Sequence, residues 1–302
     1  MGRWRKRINP QEGRDVSLMK IRRRGARRLT GVALLGLAVA SLSACGDLGE
    51  GPGKLRLFGL PEASSEQAPY IGNLWVGSWI ASLIIGVLVW GLMGWAFIVY
   101  RRKHSAQVPK QTRYNLPLEI MYTIVPFLIV GVLFFYTVQA QDKVLDTTQT
   151  SPNAHTVNVV AQKWSWTFNY MDAADGETVW DAGTVERTPD LYLPINETVT
   201  FNLNSPDVIH SFWVPSFYMK MDVIPGKQNT FQATPNRLGT FAGKCAELCG
   251  TYHSAMLFNV QVVTQEEFDQ KMAELRDRGQ VGEIKGSIGN NDLAGFDMRE
   301  GE

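Results

Sequence analysis

Two long stretches of this sequence contain no charged residue: residues 72–100 and residues 120–141. Each covers the roughly 20 apolar residues that a bilayer core requires. Backbone polar groups inside lipid have to be satisfied within the segment, so each stretch is expected to be a helix. Trp75, Trp79, Trp95 and Tyr100 sit near the ends of the first stretch, where interfacial aromatics belong. Between the stretches, residues 101–118 carry Arg101, Arg102, Lys103, Lys110 and Arg113 and no acidic residue. The positive-inside rule puts that loop in the cytoplasm and everything after about residue 141 outside. Residues 71–141 therefore read as a two-helix transmembrane hairpin. Core helices of a soluble protein are the alternative, which two such runs in one short stretch disfavour.

The residues before the hairpin carry an export signal. Arg22, Arg23, Arg24, Arg27 and Arg28 form a basic region, an apolar run follows, and Leu42-Ser43-Ala44-Cys45 comes next. Signal peptides have this order. A cysteine directly after small residues has the form of a bacterial lipobox. Residues 1–44 are thus expected to be a lipoprotein signal peptide, Cys45 the lipidated first residue and 45–70 an exported linker. An uncleaved helix with a chance cysteine is the alternative. The formal net charge of +1 hides an asymmetry: residues 142–302 hold 12 Lys/Arg against 22 Asp/Glu, a local net of −10. Phosphate would be repelled, which excludes nucleic acid as a partner of the exported part. Three cysteines are too few for a disulfide scaffold.

The exported part reads as β-structure. Residues 155–160, 163–170, 198–204, 229–233 and 256–263 are short, β-branched or aromatic runs. Asp175-Gly176, Pro225-Gly226 and Pro235-Asn236 supply turns between them. Val199, Phe201 and Leu203 alternate with polar residues, so one face is buried. Residues 142–265 are therefore expected to form an all-β Greek-key sandwich or barrel. Residues 266–278 have helical spacing at Phe268, Met272 and Leu275, and the sequence after Gly279 is polar and glycine-rich, which reads as a loose tail.

One loop concentrates the chemistry: Cys245-Ala-Glu247-Leu-Cys249-Gly-Thr-Tyr-His253-Ser-Ala-Met256. His210 lies upstream in Asp207-Val-Ile-His210. Two thiols, two imidazoles and a thioether form a soft donor set that favours copper. A blue single-copper site needs one cysteine, so the second thiolate here would let two sulfurs bridge two copper ions. A disulfide between Cys245 and Cys249, or a structural Cys2His2 zinc site, are the alternatives. Neither explains Met256 or the placement of His210.

With these motifs the chain resembles subunit II of the bacterial haem-copper cytochrome c oxidases over roughly residues 70–265. The resemblance implies a two-helix hairpin followed by a cupredoxin-like domain with a dinuclear copper centre, CuA. It implies His210, Cys245, Cys249, His253 and Met256 as side-chain ligands. Glu247 would bind copper through its carbonyl, and its side chain would reach a magnesium ion shared with subunit I. In Trp164-Ser-Trp166-Thr-Phe168-Asn-Tyr170 the first tryptophan matches the family position that receives electrons from cytochrome c; a buried strand face is its alternative role. Glu119, seven residues before Pro126, matches a carboxylate at the mouth of a proton channel into subunit I; a helix-start carboxylate is the alternative. Asp222 matches a loop beside the metal sites, where it would orient ligands.

The function implied is electron transfer from cytochrome c to haem a of subunit I, for oxygen reduction coupled to proton pumping. The chain would not be catalytic alone. Its partners would be subunits I and III, membrane lipid, and cytochrome c or a membrane-bound cytochrome c domain in a supercomplex. The place would be the bacterial plasma membrane, multi-pass, with the copper domain outside. Asp207, Asp172 and Asp175 are candidates for an acidic docking face. The rival is a membrane-anchored copper chaperone of the Sco type, where Cys-x3-Cys is followed by a distant His in a thioredoxin-like fold.

Overall fold

In this computed structural model the structure describes residues 58–101, 108 and 111–286. Cys45 and the leader before it lie outside the described residues. Helix α1 spans Ala68–Val99 and helix α2 spans Leu116–Val144, each with proline in its first turn. Proline is tolerated there because that N–H has no partner within the helix. Asn115 caps α2: its side chain accepts from the Leu118 N–H at 3.4 Å, and Glu119 Oε1 accepts from the Asn115 N–H at 2.9 Å. Both helices are long and apolar enough to cross a membrane. Their side chains project outward without a polar face, Trp90 being 79% exposed. A helix apolar on all sides belongs in lipid or against other membrane helices.

The rest is a sandwich of two five-stranded sheets. Its strands are β1 (His155–Gln162), β2 (Ser165–Ala174), β3 (Glu177–Ala182), β4 (Asp190–Pro194), β5 (Val199–Asn204), β6 (His210–Val214), β7 (Met219–Val223), β8 (Asn229–Ala233), β9 (Gly239–Cys245) and β10 (Leu257–Val263). One sheet has the order β3-β2-β1-β5-β8, the other β4-β10-β9-β6-β7. The pairs β1–β5 and β10–β4 are parallel and the remaining pairs antiparallel. Such non-sequential neighbours are those of a Greek-key, cupredoxin-like sandwich. Between the sheets lie Trp166, Phe168, Phe201, Phe212, Phe231 and Phe258, all buried. The Phe212 and Phe258 rings stack at 4.8 Å and those of Phe201 and Phe231 at 4.9 Å.

Helix α3 (Gln265–Asp277) starts from a capping box between Thr264 and Glu267. A 13-residue helix is marginal by itself. Burial of Phe268, Met272 and Leu275, at about 1.5–3 kcal/mol each, holds it on the sandwich. Two segments differ from expectation. Part of the linker is pinned to the sandwich: the Ser64 N–H donates to the Ser216 carbonyl at 2.9 Å and the Glu66 N–H to the Thr234 carbonyl at 3.0 Å. The chain after α3 is also held, with Val281 bridging to Val179.

Candidate metal centre

Strands β6 and β9 are neighbours, with Phe212 opposite Cys245. His210 at the start of β6 and Cys245 at the end of β9 therefore reach the same edge of the sandwich. The Cys245 N–H donates to the Met256 carbonyl at 3.0 Å and closes the loop at its neck. The Ala246 N–H donates to the Ser211 carbonyl at 3.0 Å and ties the loop to β6. Trp166 Nε1 donates to that Met256 carbonyl at 3.3 Å from inside the core.

The donors converge within this frame. Cys245 Sγ and Cys249 Sγ are 4.0 Å apart. His210 Nδ1 lies 3.8 Å from Cys245 Sγ, and His253 Nδ1 lies 3.5 Å from Cys249 Sγ. Met256 Sδ is 3.7 Å from Cys249 Sγ, and the Glu247 carbonyl oxygen is 3.3 Å from Cys245 Sγ. His210 and Met256 are fully buried and both cysteines nearly so. Cys245 and Cys249 are free thiols, which removes the disulfide alternative. Six donors exceed the four of a tetrahedral zinc site, and their softness suits copper.

The two thiols ionise unequally. Burial opposes charge on Cys245, but His210 and neighbouring backbone groups outweigh it and hold the pKa down to about 7. Burial and the adjacent Cys245 push the Cys249 thiol up to about 12. Without a cation the pair keeps one proton near neutral pH, and a metal ion would drive it off. Metal uptake must therefore release protons, and affinity must fall as pH falls. The slope steepens below the Cys245 pKa of about 7, where a second proton has to leave. Copper titrations of metal-free protein from about pH 6 to about pH 9 check this; a pH-independent affinity would contradict it.

Asp207 orients His210. Its Oδ1 lies 2.9 Å from His210 Nε2 and accepts from the Val208 N–H at 2.6 Å, while Oδ2 accepts from the Lys163 N–H at 2.8 Å. With Nδ1 facing the sulfurs, Nε2 carries the proton and donates to the carboxylate. Burial opposes this charge too, yet the hydrogen bonds hold the Asp207 pKa down to about 2. Sequence reasoning set Asp207 on a docking face and missed this orienting role. The signal was present in its position three residues before the ligand histidine.

Trp164 stands in the β1–β2 turn, off the buried face of Trp166, Phe168 and Tyr170. Its indole lies over Gly250, the residue after Cys249: a Cβ there would come within 3.1 Å of Nε1. Gly250 also has φ +127°, so its backbone and its neighbour both require glycine. The Tyr252 ring meets the indole edge-on, with centroids 5.0 Å apart. Glu247 is exposed at the rim. Asp222 lies on β7 opposite Ser211, is exposed, and accepts from Asn229 Nδ2 through its carbonyl at 2.7 Å. Glu119 is in the first turn of α2, roughly 37 Å of helix from the sandwich. The structure thus gathers His210, Cys245, Glu247, Cys249, His253 and Met256, sets Trp164 against them, and leaves Glu119 and Asp222 apart.

Comparison with known proteins agrees with this arrangement. The family model "Cytochrome C oxidase subunit II, periplasmic domain" matches residues 155–263, and the corresponding "transmembrane domain" matches residues 54–140. The "Probable cytochrome c oxidase subunit 2" of Streptomyces avermitilis is 47% identical over 76% of this chain and 83% of its own length. The cytochrome c oxidase subunit 2 of Mycobacterium tuberculosis is 33% identical over 92% of this chain and 91% of its own. The periplasmic domain of subunit II of cytochrome oxidase from Bradyrhizobium japonicum is 25% identical, with a TM-score of 0.39, over 44% of this chain and 99% of that domain. The chaperone alternative is not favoured, since the family models cover hairpin and sandwich alike. The chain belongs to the cytochrome c oxidase subunit II family, and is a subunit of a haem-copper oxidase, an oxidoreductase complex.

Proposed function

We propose that this chain is the electron-accepting subunit of its oxidase, with a dinuclear CuA centre on the outer face of a bacterial plasma membrane. The convergence of four further donors around two free thiols 4.0 Å apart supports this reading. Cys245, Cys249, His210, His253, Met256 and the Glu247 carbonyl would hold the copper. When bound, copper supplies a one-electron carrier between cytochrome c and haem a of subunit I. The buried walls exclude water, and the tie between Asp207 and His210 fixes one imidazole before metal arrives. Such preformed donors need little rearrangement between charge states. Trp164, in contact with the residue after Cys249, would be the point at which electrons arrive. The Glu247 carboxylate, exposed at the rim, would hold a magnesium ion shared with subunit I. Asp222, paired with Ser211 across β6 and β7, would steady the strand that carries His210.

Metal analysis of the purified oxidase tests the reading: two coppers in this chain and an electron-spin spectrum of one electron shared by two copper nuclei. One copper, or a spectrum from a single nucleus, would reject it. Two further roles follow from the same reading. Glu119→Gln should slow oxidase turnover without changing the copper spectrum; wild-type turnover would leave Glu119 only its hydrogen bond to Asn115. A mature chain that begins at lipidated Cys45 should show in intact mass as loss of residues 1–44 plus a lipid adduct, and an unmodified Cys45 would reject it.

A further inference from the structure

Near the end that carries the sandwich, α1 and α2 line a cleft of about 940 Å³. Ligand sites usually measure ~300–1,000 Å³. One wall runs from Tyr70 to Ala81 on α1, the other from Val132 to Lys143 on α2. Each wall rises about 17 Å. A bilayer leaflet with its headgroups is about 20–22 Å thick, so the cleft fits within one leaflet. Trp75 and Trp79, exposed on α1 at the same height, are residues that settle at the water–lipid interface.

The lining changes along the cleft. At the sandwich end stand Tyr70, Asn73, Gln139, Asp142 and Lys143. Deeper lie Gly77, Ala81, Val132 and Leu133. Ser78, between the two levels, donates its hydroxyl proton to the Leu74 carbonyl at 2.7 Å. In membrane helices such small residues ordinarily let a neighbouring backbone come close. Here a Cβ on Gly77 would meet nothing within 4 Å. Helix α2 therefore does not use the space that Gly77 leaves, and a third body can. A polar mouth with one cation and one anion above an apolar floor is the profile of a phospholipid. Lys143 suits its phosphate and Asp142 an ammonium on its headgroup. Both are exposed, and neither has an ion-pair partner among the described residues. A headgroup without an ammonium would leave Asp142 facing like charge.

We propose that the cleft between α1 and α2 holds one phospholipid with an ethanolamine headgroup, in the leaflet on the sandwich side. Its phosphate sits at Lys143, its ammonium at Asp142, and its acyl chains run over Gly77 and Ala81. The site is separate from the metal centre and does not depend on the copper reading.

The test uses the purified oxidase in vesicles of phosphatidylglycerol. The probe is a minor fraction of phosphatidylethanolamine with a photoreactive group on one acyl chain, and crosslinks are mapped by mass spectrometry. In wild type the probe should label the cleft walls on α1 and α2. A glycerol-headgroup probe with the same chains should label them about threefold less. Gly77→Phe fills the floor and should abolish the labelling. Lys143→Gln leaves the floor open and should lower it about fivefold, as loss of one exposed charge contact does. Asp142→Asn should narrow the difference between the two probes. If Gly77→Phe does not assemble with its partner subunits, the Lys143 and Asp142 variants decide alone. Wild-type cleft walls left unlabelled, because a helix of another subunit or the acyl chains of Cys45 fill the space, would overturn the proposal. So would labelling that is undiminished in Gly77→Phe or in Lys143→Gln, or that is indifferent to the headgroup.

Discussion

Cys245→Ser and Cys249→Ser should each abolish the proposed two-copper centre, with metal content falling from two coppers to below one in this chain. A serine hydroxyl is neither soft nor ionised at neutral pH, so it cannot take the place of a thiolate in holding copper. Each thiol has several donors around it: Cys245 faces His210 and the Glu247 carbonyl, and Cys249 faces His253 and Met256. Removing either sulfur therefore disconnects half of the set. The fold should survive, because the aromatic core lies between the sheets while the cysteines sit at their edge. An intact circular-dichroism spectrum with lost copper is the expected pair of results. Retention of two coppers with an unchanged visible spectrum in either variant would reject the assignment. Met256→Leu should be milder, because a thioether is a weak ligand, and should move the reduction potential more than the copper count.

Trp164→Ala should slow electron transfer into the copper centre by at least about tenfold, equivalent to about 1.4 kcal/mol of barrier, at every ionic strength. The indole covers Gly250 and meets the Tyr252 ring, so its loss opens a gap between any docked donor and the Cys249 loop. Docking itself depends on surface charge and should change little. Gly250→Ala offers an independent check. Its Cβ would press on the indole within 3.1 Å and its backbone would be strained at φ +127°. It should reproduce part of the Trp164→Ala loss without removing a donor atom. Stopped-flow reduction measures both variants, and wild-type rates in Trp164→Ala would leave it a core aromatic with no part in transfer.

The spans and the clustering of the donor residues were legible in the sequence, and for different reasons. A bilayer imposes an uninterrupted apolar run, which sequence displays directly. The ligand loop is compact in sequence, and His210 needed only the pairing of β6 with β9 to join it. Strands β3, β4, β6, β7 and β9 were not picked out as runs. Three of them have five residues, and β9 contains Gly239 and Gly243. Gly243 is required because the Phe258 ring occupies the space of a side chain, a cross-strand fact with no local signature. Trp164 seemed to continue the alternation of Trp166, Phe168 and Tyr170, but the β1–β2 turn falls at Lys163 and Trp164 and releases it from that face. Asp207 looked like one more surface acid, and its place three residues before His210, the one sign of its orienting role, was not used. The pinned linker and the held chain after α3 were invisible for a similar reason. Their partners, Ser216 and Thr234 in one case and Asn169 in the other, are polar residues distant in sequence.

Time-resolved reduction of the purified oxidase by cytochrome c tests most directly whether electrons pass through this chain. The copper absorption should change first and the haem of subunit I afterwards. In Cys245→Ser the haem should stay oxidised on that timescale. Haem reduction at the wild-type rate in Cys245→Ser, or haem reduction preceding the copper change in the wild type, would contradict the account.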